Sequence, residues 1–187
     1  RVIGQTIDDA AGEAFDKTAK IMGLAYPGGK ALSELASESA FKATQLKPFP
    51  KPLLDRPDFN FSFSGLKTHS LYAWEKSPKD EIAKAGIAYA FQTAVVDTLV
   101  EKCRRAVIHT GAKQLVVAGG VAANQDLRQK LQSSITSQAC KVYYPSLSFC
   151  TDNGAMIAYT GYKYLKAGRH DMTSSILVKA RWPLTKI

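Results

Sequence analysis

The stretch that most limits what this chain can become is Leu115-Val116-Val117-Ala118-Gly119-Gly120-Val121-Ala122-Ala123-Asn124-Gln125-Asp126-Leu127-Arg128. Its short β-branched run predicts a buried strand. The paired glycines break that strand, after which Leu127, Leu131 and Ile135 recur at helical spacing. A strand turning sharply into a helix belongs to α/β architecture, where ligands gather at the carboxyl ends of the strands. Gly119 and Gly120 carry no side chain, so a bound molecule can come close to the backbone there. Neither G-x-G-x-x-G nor G-x-x-x-x-G-K-[ST] is present, which excludes assigning a dinucleotide fingerprint or a P-loop on motif grounds.

The remainder of the chain supplies helices for such a domain. Asp8 and Asp9 predict the cap of a helix running to about Met22 and closed by Gly23. Tyr26-Pro27-Gly28-Gly29 predicts a turn, and Lys30 to Ala40 a second helix with Leu32 and Leu35 inward. Prolines at 48, 50, 52 and 57 predict a long loop from Phe41 to Asp58. Asn60–Ser64 alternates polar and aromatic residues as a half-buried strand does, and a short helix is expected over Leu66–Trp74. From Asp80 to about Thr110, Ile82, Ala85, Ala88, Phe91, Val95, Leu99 and Val107 keep to one side of a long helix that Gly111 ends. Lys141–Tyr144 predicts a strand, and Asp152-Asn153-Gly154 the start of a helix to about Lys166, closed by Gly168. Ser175–Val178 is a last strand candidate.

With 187 residues, 45% hydrophobic and 22% charged, the chain suits a single globular domain. The formal net charge of +9 fits a polyanionic partner, or simply a well-solvated surface. The three cysteines, Cys103, Cys140 and Cys150, lack C-x-x-C spacing and predict reduced thiols in a cytoplasmic setting. No apolar run is long enough to span a bilayer. The opening Arg1-Val2-Ile3-Gly4 reads like the interior of a longer chain, so a fragment is expected.

Few groups suggest chemistry on their own. Asp9, Glu13 and Asp16 share one helical stripe that suits a ribose, an amine or a cation. The same residues also form favourable surface pairs, Glu13 with Lys17 and Asp16 with Lys20. Asp152 reads either as a helix cap or as a hard oxygen ligand, one carboxylate being too few for a catalytic transition metal. His69, His109 and His170 are isolated from one another, and no G-x-S-x-G elbow is present. Ser62, Ser64, Lys67 and Thr68 suit either an anion or a helix cap. Phe49, Phe59, Phe61 and Phe63, interleaved with lysines, suit either a core or stacked RNA bases.

Several blocks taken together are more specific: Asp8-Asp9-Ala10-Ala11-Gly12-Glu13-Ala14-Phe15-Asp16-Lys17, Tyr26-Pro27-Gly28-Gly29, Phe61-Ser62-Phe63-Ser64-Gly65-Leu66-Lys67-Thr68, Ala118-Gly119-Gly120-Val121 through Asn124 with Leu127-Arg128, Cys150 to Ala158, and Arg181-Trp182-Pro183-Leu184. In this order they resemble the C-terminal half of the bacterial TsaD family, once described as O-sialoglycoprotein endopeptidases.

The resemblance implies an α/β fold of the actin/Hsp70/sugar-kinase (ASKHA) type, with residues 1–187 forming a single C-terminal nucleotide-binding lobe without its N-terminal lobe. It implies transfer of threonylcarbamoyl from threonylcarbamoyl-AMP to N6 of adenosine 37 in tRNAs reading ANN codons (t6A synthesis). Asp16, Gly29, Gly119 and Gly120 correspond to nucleotide or substrate contacts, with Asn124 on the adenine side beyond the Gly-Gly turn and Glu13 a further candidate for the ribose side. Asp152 corresponds to the carboxylate ligand of a single Fe2+ or Zn2+ ion. The family's H-x-x-x-H and S-G-G-H-T motifs would precede Arg1, so the metal site is expected to be incomplete and this chain alone inactive. The implied partners are tRNA, a TsaB-type paralogue and a TsaE-type ATPase, with no membrane, and the open surface of a truncated lobe invites homo-oligomers. The alternatives are a metalloendopeptidase, for which H-E-x-x-H is missing, and a non-catalytic nucleotide-binding scaffold.

Overall fold

The computed structural model describes residues 1–37, 47–170 and 178. Six helices dominate it: α1 (Ala11–Ile21), α2 (Gly28–Ser37), α3 (Ser64–Glu75), α4 (Glu81–Thr110), α5 (Gln125–Thr136) and α6 (Gly154–Lys166). Two three-residue strands, β1 (Gln114–Val116) and β2 (Lys141–Tyr143), pair in parallel with Leu115 opposite Val142. The described residues are therefore mostly helical, with the expected strand–helix–strand order confined to β1–α5–β2. A parallel pair requires a crossover, and α5 supplies it.

The spine is α4, 30 residues long. Its start is fixed by Asp80, whose carboxylate accepts the Ala83 N–H at 2.7 Å, and its end by Gly111 in the left-handed region at φ 66°. Along its first half, Ile87, Ala88, Phe91, Ala94 and Val95 join Ala14, Phe15, Leu32, Phe49, Phe63 and Leu66 in one core. Phe15 meets Phe91 edge to face at 5.1 Å. Along the second half, Val96 and Val107 pack with Leu127, Leu131, Ile135, Cys140 and Val142. Leu99 and Val121 touch both clusters. Of the stripe read from sequence, Ile82 is the exception and stands in solvent.

Three local expectations are corrected. Asp8 does not cap α1: its carboxylate accepts the Phe63 N–H at 2.8 Å, the Ser64 N–H at 3.2 Å and the Ser62 hydroxyl, so it caps α3 from 55 residues away. Burial opposes ionisation of Asp8, but these hydrogen bonds outweigh it and hold the carboxyl below its ordinary range. Asn60–Ser64 is not a strand; only Phe61 makes a single parallel bridge, with Thr6. At α6 the cap is Asn153, which accepts the Met156 N–H at 2.9 Å, and not Asp152. The aromatic alternation of this region serves the core, with Phe49 and Phe63 buried. The end of the second predicted helix, residues 41–46 of the loop, most of the Ser175–Val178 candidate and the Arg181–Leu184 block lie outside the described residues.

Between residues 51 and 58 the chain follows no regular element, yet α4 holds it firmly. Lys102 is fully buried and donates to the carbonyls of Asp58 at 2.6 Å and Arg56 at 3.2 Å. Arg105 donates to the Leu54 carbonyl at 2.6 Å. By contrast α6 buries none of its residues against the described chain; Ile157 is 66% and Leu165 65% exposed.

Candidate functional site

β1 leads through Val117, whose N–H donates to the Tyr143 carbonyl at 2.9 Å, into Gly119 at φ 91° and ψ 172°. A side chain at that φ would be strained, so the turn requires glycine at 119. A short 3-10 helix, Gly120–Ala123, follows and hands the chain to α5. Gly119 and Gly120 are exposed, so the backbone at the strand's end is open to solvent as the sequence predicts.

Asn124 closes the turn and is only 8% exposed. Its Oδ1 accepts the Leu127 N–H at 2.9 Å, capping α5. Its Nδ2 donates to Gln92 Oε1 on α4 at 2.8 Å and to Ser33 Oγ on α2 at 3.0 Å. The amide is thus used to lock the turn to two other helices, and a ligand at the turn would meet a rigid wall. Gln92 and Ser33 were not singled out from sequence. For Gln92 a signal existed: position 92 falls on the buried α4 face with Ala88, Phe91 and Val95, where a polar side chain must find a partner.

Asp16 and Gly29 are brought together. The Asp16 Oδ1 accepts the Gly29 N–H at 2.9 Å, anchoring the first turn of α2 to α1. The neighbouring Gly28 is the one that packing demands, because a Cβ there would lie 2.6 Å from the Ala19 Cβ. The expected Asp16–Lys20 pair is absent among the described ion pairs. Glu13 follows the surface reading: it pairs with Lys17 at 2.8 Å and reaches back to the Ala10 N–H at 3.4 Å. The Lys17 hydrogen bond, helped by that N–H, holds the Glu13 carboxyl below its usual range. Lys17 also binds Asp9 at 2.8 Å, and its own pKa rises, chiefly through Asp9 and then Glu13. The first turn of α1 adjoins the Gly-Gly turn, Gly12 standing where a Cβ would be 3.5 Å from Val121 Cγ2.

Asp152 stands apart, exposed, three residues beyond the short 3-10 helix Leu147–Phe149. Among the described residues no group of three or more His, Cys, Asp or Glu side chains converges to hold a metal ion. One exposed carboxylate does not by itself fit a bound transition metal, which takes about three protein ligands. The comparisons with known proteins decide the family. A model described as "TsaD: tRNA N6-adenosine threonylcarbamoyltransferase" matches residues 1–159. The chain belongs to the TsaD family. Curated TsaD relatives from Legionella pneumophila strains Corby and Paris, each described as tRNA N6-adenosine threonylcarbamoyltransferase, are 52% identical over 184 residues. Those alignments cover 98% of this chain and 54% of each relative, so it spans about half the length of the TsaD proteins it matches.

Proposed function

We propose that the complete protein is a tRNA N6-adenosine threonylcarbamoyltransferase, and that this chain forms the nucleotide-side wall of its cleft, within the C-terminal lobe of an actin/Hsp70/sugar-kinase-like fold. The observation that carries the reading is the 52% identity to proteins of that description, sustained across 98% of the chain. The geometry supports it: the open Gly119–Gly120 turn, braced by Asn124 and flanked by α1, is a surface that a flat base can approach.

The reaction joins the exocyclic amine of adenosine 37 to the carbamoyl carbon of threonylcarbamoyl-AMP. AMP leaves with the bonding pair, and the amine loses a proton. An adenine amine is a weak nucleophile, so the rate depends on alignment and on polarisation of the carbonyl. In this reading Asp16 and Gly29 line the nucleotide site, Asn124 stands at the adenine side, and Glu13 stands toward the ribose. Asp152 would contribute one oxygen to a divalent cation whose other ligands come from outside the described residues. The excess of positive charge supports tRNA as the polyanionic partner, in the cytoplasm with a TsaB-type paralogue and a TsaE-type ATPase.

The test uses protein expressed from its complete reading frame with those partners, threonylcarbamoyl-AMP and an unmodified tRNA transcript. Nucleoside mass spectrometry should show t6A at position 37, with tRNA affinity falling steeply as salt rises. Protein that folds and binds tRNA yet forms no t6A overturns the assignment.

A further inference from the structure

Arg128 stands where the two loops of the proposed cleft meet. Its Nε donates to the Ala122 carbonyl at 2.6 Å, at the end of the Gly-Gly turn. Its Nη2 donates to the Pro145 carbonyl at 3.1 Å and to Cys150 Sγ at 3.4 Å, on the loop that leads to Asp152. The guanidinium carbon lies 4.7 Å from the centre of the Tyr144 ring, and the Tyr144 hydroxyl donates to the Arg128 carbonyl at 3.3 Å. Cys150 is buried beneath this arrangement.

Resting on the proposed function, we infer that Arg128 is a positioning residue that sets the carboxylate-bearing loop against the nucleotide-side turn. Three observations carry this. Arg128 forms no ion pair among the described residues, so its charge is directed at the carbonyls of the two loops, Cys150 Sγ and the Tyr144 ring. Its place at the start of α5 is the wrong end for a cation by the helix dipole, so helix stability does not explain it. Asp152 lies two positions after Cys150, a reach of only about 7 Å of extended chain, so fixing Cys150 confines Asp152. A planar fork with separate N–H groups can bridge two carbonyls on different loops, which a lysine ammonium on a flexible stem does not reproduce.

The experiment compares Arg128→Ala and Arg128→Lys in protein expressed from its complete reading frame. Hydrogen–deuterium exchange of residues 146–151 should speed at least tenfold in both variants, while the α4 amides keep their wild-type rates. Titration with AMP should show Kd raised at least tenfold with the number of sites unchanged, because misplacement weakens each site whereas unfolding removes sites. In turnover, KM for threonylcarbamoyl-AMP should rise while KM for tRNA stays within twofold. Unchanged exchange in 146–151, or full rescue by Arg128→Lys, overturns the inference. If Arg128→Ala unfolds, the Lys variant decides by the same criteria. Wild-type protein that binds no AMP and forms no t6A instead refutes the proposed function, and the exchange result still judges whether Arg128 holds the two loops together.

Discussion

Asn124 concentrates three hydrogen bonds in one buried amide, and its replacement separates them. Asn124→Ala loses a helix cap worth about 1 kcal/mol. It also strands the buried Gln92 oxygen, at a further cost of about 1–3 kcal/mol. Asn124→Asp keeps the cap acceptor and lacks the donor. Urea denaturation should therefore place the Asp variant between wild type and Ala; an Asp variant as stable as wild type would show that the Gln92 bond contributes nothing. The adjacent glycines make a second pair. Gly28→Ala forces a 2.6 Å approach to Ala19 and should cost about 1–3 kcal/mol. Gly29→Ala meets only ordinary contacts at 3.6 Å, so its stability should hold. A loss of AMP affinity in Gly29→Ala without a fall in Tm would mark the ligand's approach, and unchanged affinity would remove Gly29 from the proposed contacts. Of the stripe Asp9, Glu13 and Asp16, the Glu13–Lys17 pair was legible, but Asp9 lies before the Ala10 cap, off the helix, and reaches the face only through Lys17. The partner of Asp16 was not, because Gly29 lies 13 residues away on a different helix and no periodicity links them.

Among the elements, α4 was read almost to the residue, since its cap, its apolar stripe and its terminal glycine are all local signals. Caps that act across loops were misread. Asp8 and Asp152 both carry good capping chemistry, but the path of the chain sends one to α3 and yields the other's place to Asn153. A carboxylate on α4 carries a pH prediction. Glu101 is gripped by Arg104 at 2.8 Å and Arg105 at 2.7 Å. Chiefly through Arg104, against some burial, its pKa falls from 4.5 to about 2. The unfolded chain therefore binds the proton first as acid is added. The stabilisation is complete above pH 4.5 and lost on the way down to about 2. Glu101→Gln should lower Tm at neutral pH and flatten its decline across that window, as thermal melts from pH 6 to 2 would show. Equal slopes in the two proteins would remove Glu101 from the acid transition. Arg105 also holds the Leu54 carbonyl, so the variant should loosen residues 51–58 as well.

At the scale of the whole molecule, the strand–turn–helix order was legible because β-branched residues, glycines and helical spacing occur in immediate succession, but the strand is not buried as expected: Val116 is 71% exposed and Leu115 only half-buried. The small size of the sheet among the described residues was not, because how many strands join β1 and β2 is decided by chain far from either. Nor was the bareness of α6 against the described residues, because its sequence is mostly apolar, with lysines only at 163 and 166 in the last turn, as a packed helix would be. The lasting consequence belongs to α4. Both cores are built on it, and Leu99 and Val121 belong to each. A helix about 45 Å long cannot melt at one end without withdrawing a wall from the other cluster. The molecule should accordingly unfold as a single cooperative unit, with one denaturation midpoint for probes placed in either half. Its slowest-exchanging amides should lie near Val95–Leu99, at the junction of the two cores. Two midpoints would mean that the long helix behaves as a hinge and not as an axle.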